Sequence, residues 1–314
     1  MTGGPPVVDV AALRARTGER EAVARAIDRA AREVGFFHVV GHGVGPHLVE
    51  RLDAASRRFF ALPAERKLAI RMERGGRAWR GYFPVGEELT DGRPDQKEGL
   101  YLGTELGPED PRVRAGTPLH GSNLFPDEDV PELRGAVRTY MEALTGLGHL
   151  LMEGFALALG LPADAFARAC TAEPTVLFRI FHYPVLAPGA GDDAWSVGEH
   201  TDYGLVTILH QDAVGGLELR SRDAWIPVPP VPGAFLCNLG DTLERMTRGR
   251  YRSTRHRVRN AGDRGRLSLA FFFDPGFDAV VRPIDGQPGE SEGTYGEYLL
   301  DKVSRVFPEL FRSL

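Results

Sequence analysis

Between residues 176 and 274 the sequence breaks into seven short runs, at 176–183, 204–211, 216–219, 225–228, 234–239, 255–259 and 266–273, divided by Gly, Pro and Asp. Short runs rich in β-branched and aromatic residues, bounded by turn formers, read as strands. So many short strands in succession must pair their edges, which a closed barrel or a double sheet achieves. The expected class is therefore α+β with a mainly β core, built as a double-stranded β-helix or jelly roll and supported by N-terminal and central helices.

The helices are legible from their period. Val23, Ile27, Ala30, Ala31 and Val34 follow helical spacing, so a helix is predicted from about Glu19 to Val34, ended by Gly35. Val7–Val10 before it suits an edge strand, and Phe36–Val40 after it a short buried one. Gly41–Val44 then turns into a helix over Pro46–Leu62, and Pro63–Lys67 opens a polar helical segment. His38 and His42 sit among glycines and β-branched residues, where a four-residue spacing has no ligand geometry, and are expected to be structural.

Residues 74–94 have the Gly, Arg and Pro content of a loop, as does the proline-punctuated stretch 108–131. Arg80, Tyr82 and Phe83 in the first of these are candidates for a loop that closes over a pocket and selects a carboxylate-bearing or planar substrate. The longest helix is predicted over Glu132–Leu159, with Leu133, Val137, Tyr140, Leu144, Leu147, Leu151 and Phe155 on one stripe and Gly160 at its end. A last helix is expected near Thr294–Ser304. The organisation is read as 1–125, carrying a strand, helices and the substrate-side loop, and 126–314, carrying the long helix, the β core and the final helix, as one structural unit.

The chemistry is concentrated in Glu199-His200-Thr201-Asp202-Tyr203-Gly204, in His256, and in Arg266-Leu267-Ser268. Two imidazoles and a carboxylate form the set that holds non-haem Fe(II) on one face and leaves other positions open. On a strand, residues i and i+2 share a face, so His200 and Asp202 would reach one metal while Thr201 points away. Alternation also puts Arg266 and Ser268 on one side, a donor fork beside a hydroxyl that suits a carboxylate. An arginine facing a barrel interior needs an anion there. Two histidines and a carboxylate also serve zinc, so a zinc hydrolase or a non-catalytic metal-binding barrel is the alternative from another class.

With Lys plus Arg at 38 against 43 Asp plus Glu, the net charge of -5 carries no footprint for nucleic acid or an anionic membrane. The opening Met1–Pro6 lacks a basic segment followed by an apolar run, and no later stretch is long enough to span a bilayer, so a cytoplasmic protein is expected. Cys170 and Cys237 form no C-x-x-C pair and are expected to pack as small hydrophobes.

Several motifs in order resemble the isopenicillin N synthase-like family of Fe(II)- and 2-oxoglutarate-dependent oxygenases. The N-terminal Gly35–Val39, Gly41–Val44 and Phe59–Pro63 runs, and then Phe181–Pro184, His200–Gly204, Asn238–Asp241 and Arg266–Ser268, carry the resemblance over most of the chain. It implies a cupin-like core, His200, Asp202 and His256 as iron ligands, and Arg266 and Ser268 on the distal carboxylate of 2-oxoglutarate, with Tyr183 on the same cosubstrate. It also implies O2 as a cosubstrate, release of succinate and CO2, and hydroxylation, desaturation or ring closure of a small-molecule metabolite. Phe181 departs from the asparagine frequent in plant members and, with Phe273, joins Arg80 and Tyr82 as a candidate substrate contact. An oxidase of the same family that uses no 2-oxoglutarate is the nearest alternative.

Overall fold

Alternation along a few long strands builds the body of the protein. The computed structural model describes residues 4–185, 195–221, 224–259, 262–285 and 293–307. In chain order, β1 (Val7–Asp9), α1 (Ala11–Ala15), α2 (Arg20–Glu33), β2 (Phe36–Val40), α3 (Pro46–Phe60) and α4 (Ala64–Leu68) come first. Next are β3 (Gly81–Phe83), the ribbon β4 (Leu89–Thr90) and β5 (Arg93–Pro94), β6 (Glu98–Gly103), α5 (Pro111–Arg114) and α6 (Glu132–Ala158). The second half holds β7 (Thr175–Tyr183), β8 (Val197–His200), β9 (Val206–Gln211), β10 (Leu217–Ser221), β11 (Ala224–Pro227), β12 (Phe235–Leu239), α7 (Asp241–Met246), β13 (His256–Val258), β14 (Arg266–Asp274) and α8 (Tyr295–Val306).

The strands form an eight-stranded sheet in the order β1-β2-β12-β9-β14-β7-β6-β3 and a four-stranded sheet in the order β11-β10-β13-β8. Both halves of the chain contribute to the larger sheet. Its two faces are separated by parity: on β14, Arg266, Ser268, Ala270, Phe272 and Asp274 line a cavity that the smaller sheet also walls, while Phe273 turns to the other side. On that other side α6, about 40 Å long, covers the sheet. Tyr140 meets Phe178 at 5.2 Å between ring centroids, and His149 meets Phe273 at 4.9 Å. This is the jelly roll with helical support that the strand pattern predicts.

Two expectations need correction. The stretch 74–94 is not a loop throughout: after a 3-10 turn over Met72–Ala78, Gly81, Tyr82 and Phe83 pair antiparallel with Tyr101, Leu100 and Gly99. Three residues make a strand here because β6 supplies the ladder, a long-range partner invisible in local composition. For the same reason β8, with the unremarkable sequence Val-Gly-Glu-His, escapes a reading by propensity; it is a strand because His200 and Val197 pair with His256 and Val258. The final helix begins as composition suggests, with Thr294 and Glu297 forming a reciprocal capping box.

α6 packs tightly on β14 at Gly148, where a Cβ would lie 2.3 Å from the Phe273 ring. Gly148→Val is therefore expected to lower the unfolding free energy by about 2 kcal/mol through overpacking, measured by urea unfolding; an unchanged midpoint would show that the ring yields freely.

Candidate active site

His200 closes β8, His256 opens β13, and the two are directly paired in the smaller sheet. Asp202 lies beyond the end of β8, in the connection to β9, so the expectation that His200 and Asp202 share a strand face is corrected. The carboxylate reaches the histidines because the chain turns between the sheets, not because of strand alternation. The turn is held from two sides. Asp241 N donates to Asp202 O at 2.8 Å, and Leu205 N donates to Asp274 Oδ1 at 3.1 Å. Gly204 permits this closeness, since a Cβ there would fall 1.4 Å from Asp274 Oδ1.

The donor atoms converge. Asp202 Oδ1 is 3.8 Å from His200 Nε2 and 3.7 Å from His256 Nε2. Among the described residues these three form the cluster able to hold a metal, with all ligand atoms within 4.8 Å of one another. Each histidine meets a backbone carbonyl through Nδ1, His200 at Gly198 O (2.8 Å) and His256 at Thr254 O (3.2 Å). A carbonyl only accepts, so Nδ1 carries the proton and Nε2 keeps its lone pair for a metal. The Asp202 oxygen that faces away from the histidines, Oδ2, accepts from Asn238 Nδ2 at 2.6 Å and from the Thr207 hydroxyl.

These surroundings set the charges. Burial opposes ionisation of Asp202, but His256, His200 and the two hydrogen bonds outweigh it and hold the carboxyl below the usual range. Desolvation, with the neighbouring His256 as the second cause, pushes His200 down to about 4. A neutral His200 beside His256, both turning Nε2 toward a carboxylate, is a ligand set suited to a divalent cation.

The cavity of about 720 Å³ that contains these atoms also holds Arg266, Ser268, Tyr183 and Phe181. Arg266 is completely buried, and its Nε, Nη1 and Nη2 have no hydrogen-bond partner among the described residues. The Tyr183 ring, paired across β7 and β14, lies 4.6 Å from the guanidinium carbon. Leaving every donor of a buried guanidinium unmatched is costly unless an acceptor arrives with a ligand. A carboxylate of 2-oxoglutarate fits that requirement, and the three-donor cluster in the same cavity fits Fe(II).

Three other candidates lie elsewhere. Arg80 is buried beside Gly103, donates to Leu119 O at 2.7 Å, and lines a separate cavity against α6. The Tyr82 hydroxyl donates to Glu98 Oε2 at 2.6 Å, in a buried hub that Lys67 and His182 share. Neither lines the metal cavity. Phe273 faces α6, and Phe272 occupies the cavity side instead. Parity from Arg266 and Ser268 would have found Phe272, and parity from Tyr183 and Phe181 would have found Arg179. Glu88, Lys97, Thr207 and Asn238 also line the cavity; of these only Asn238 had a sequence signal, in the Asn238–Asp241 motif.

If Asn238 and Thr207 orient the carboxylate, Asn238→Ala and Thr207→Val are each expected to weaken Fe(II) binding by about 10- to 100-fold, as read by metal titration under argon. Wild-type affinity in both variants would remove that role.

Comparison with known proteins agrees with this geometry. Residues 5–128 match the family model described as the N-terminal region of non-haem dioxygenase in morphine synthesis, and residues 174–275 match that of the 2OG-Fe(II) oxygenase superfamily. The chain is 42% identical to a Dictyostelium discoideum protein named probable iron/ascorbate oxidoreductase, covering 97% of this chain and 95% of that one. It is 38% identical to a homoarginine-6-hydroxylase of Oryza sativa subsp. japonica, over 91% and 89% of the two chains. Its structure is similar to the crystal structure of a full-length Neurospora crassa protein in complex with alpha-KG, with a TM-score of 0.83, 25% identity and 96% of each chain covered.

Proposed function

Since the chain belongs to the 2OG-Fe(II) oxygenase superfamily, we propose that His200, Asp202 and His256 hold the iron and that Arg266 and Ser268 hold the distal carboxylate of 2-oxoglutarate. The enzyme is a non-haem Fe(II)/2-oxoglutarate-dependent dioxygenase that uses O2 and acts on a small molecule. The observation that carries the residue assignment is the buried Arg266 guanidinium, without a hydrogen-bond partner among the described residues and facing the same cavity as the three-donor cluster. A zinc hydrolase leaves that guanidinium without a purpose.

When bound, Fe(II) would activate O2, the oxidant for the substrate C–H bond, while 2-oxoglutarate would give up two electrons and leave as succinate, which takes one oxygen atom, and CO2. The chain supplies position and dryness. Arg266 fixes the far end of the keto acid with a planar fork of donors, and Ser268, two residues along β14, adds a hydroxyl on the same face. Asn238 and Thr207 keep one oxygen of Asp202 occupied, so the other is the ligand. Phe181, Leu209, Leu217 and Phe272 wall the cavity with apolar surface, and Leu299 and Val306 of α8 join them.

No helix among the described residues is long and apolar enough to cross a membrane. We infer a cytoplasmic location, supported by two buried cysteines that form no disulfide.

Anaerobic addition of 2-oxoglutarate to the Fe(II) protein is expected to give the weak visible charge-transfer band of a chelated keto acid. Arg266→Ala should need about a hundredfold more 2-oxoglutarate, and Asp202→Ala should lose the band with the iron. Iron binding without any band, together with oxygen uptake that forms no succinate, would instead assign the oxidase that works without 2-oxoglutarate.

A further inference from the structure

Resting on the reading above, we propose that the primary substrate carries a carboxylate group and that Arg179 binds it. With 2-oxoglutarate assigned to Arg266, three further guanidinium groups line the cavity; Arg255 and Arg305 are exposed and paired with Glu199 and Asp301, which leaves Arg179. Arg179 lies on β7 opposite Ala270 of β14, whereas Tyr183 lies opposite Arg266. Four residues of strand separate the two levels, roughly 13 Å, and each guanidinium stays at its own level, Arg266 against the Tyr183 ring and Arg179 against Tyr101 and Phe272.

Arg179 is placed beside the metal cluster through a short chain of neighbours. Asp202 accepts from Thr207, Thr207 pairs with Phe272 across β9 and β14, and the Phe272 ring lies 4.9 Å from the Arg179 guanidinium carbon. From the strand on the other side of β7, the Tyr101 ring lies 4.3 Å from the same carbon. Aromatic rings from both flanking strands lie against the guanidinium and offer it no hydrogen-bond acceptor of full strength. A carboxylate matches a guanidinium edge with two parallel hydrogen bonds.

The residues around it do not meet this demand. Arg179 is 15% exposed, and its polar contact among the described residues is Glu88 Oε1 at 3.8 Å, too long for a hydrogen bond. Glu88 is already engaged: Tyr101 donates to Oε1, and Lys97 Nζ lies 2.8 Å from Oε2. Lys97 is equally committed, with Asp95 Oδ2 at 2.7 Å and the Phe181 ring 4.7 Å away. Glu88 and Asp95 therefore neutralise Lys97 closely and Arg179 only loosely. Arg179 therefore has no hydrogen-bonded acceptor among the described residues, and an anionic group would supply one.

The test uses the Fe(II) protein under argon with saturating 2-oxoglutarate, so that Arg266 is occupied. Binding is measured by calorimetry for matched acids and primary amides: 4-phenylbutyrate and its amide, octanoate and octanamide, L-arginine and L-argininamide. At least one acid is expected to bind about tenfold more tightly than its amide, and Arg179→Gln should bring that acid to the level of the amide. Persistence of the charge-transfer band in the variant shows that the iron and 2-oxoglutarate sites survive. Should the glutamine variant lose the band, Arg179→Lys carries the test, with affinity for the acid expected to fall about tenfold. Equal binding of acid and amide in every pair, no acid binding below roughly 10 mM, or affinity unchanged in the variant that keeps the band would overturn the proposal. Failure of the band in the wild type would overturn the 2-oxoglutarate reading itself, which separates the two outcomes.

Discussion

The Asp202 carboxylate joins the two sheets. Its Oδ2 is tied to Thr207 of β9 and Asn238 of β12 in the larger sheet, and its Oδ1 faces His200 and His256 of the smaller one. A carboxylate with one oxygen satisfied by fixed donors has a single orientation left for the other. The ligand geometry therefore follows from how the sheets are spaced. The clamps on residues 202–205 serve the same end: Asp274 and the start of α7 take the backbone donors and acceptors that a free loop would give to water.

In and beside the cavity the buried polar groups fall into two kinds. Glu98, Lys67, Tyr82 and His182 saturate one another and hold β3, β6 and β7 together. Lys97, which lines the cavity with Glu88, is ion-paired with Glu88 and Asp95. Arg266 and Arg179 are different, being brought to the interior by strands whose opposite face packs on α6 and given no full complement of acceptors. Burial with incomplete pairing is unfavourable in the empty protein and becomes favourable when a ligand supplies the missing atoms. The cost is local, and the jelly roll tolerates it because Leu267, Leu269, Phe271 and Phe273 anchor the outer face of β14 in the core.

Much of this was legible in the sequence, and the legible parts share a cause. The long helix, the strand of Arg266 and Ser268, the turn at Gly35 and the His200, Asp202 and His256 set all depend on residue type and on periods of two or 3.6 along the chain. Those signals are local, and the order of the motifs was enough to suggest the family. The same arithmetic, carried six residues on from Arg266 and four back from Tyr183, would have put Phe272 and Arg179 in the cavity.

Tertiary structure alone decided where the loop-like stretch 74–94 goes and which charges meet. Arg80 resembles a substrate arginine by composition, yet Gly103 of β6 gives it room and the Leu119 carbonyl holds it in another cavity. Lys97 and Glu88 lie near one another in sequence, but their place beside Arg179 exists only because β6 pairs with β7. His200 and Asp202 were correctly paired for a reason the fold replaced, since a turn between sheets does what strand alternation was expected to do. Sequence period fixes which face a side chain takes on its own strand; which side chain waits across the cavity is set by strand pairing over large separations, and no local pattern encodes it.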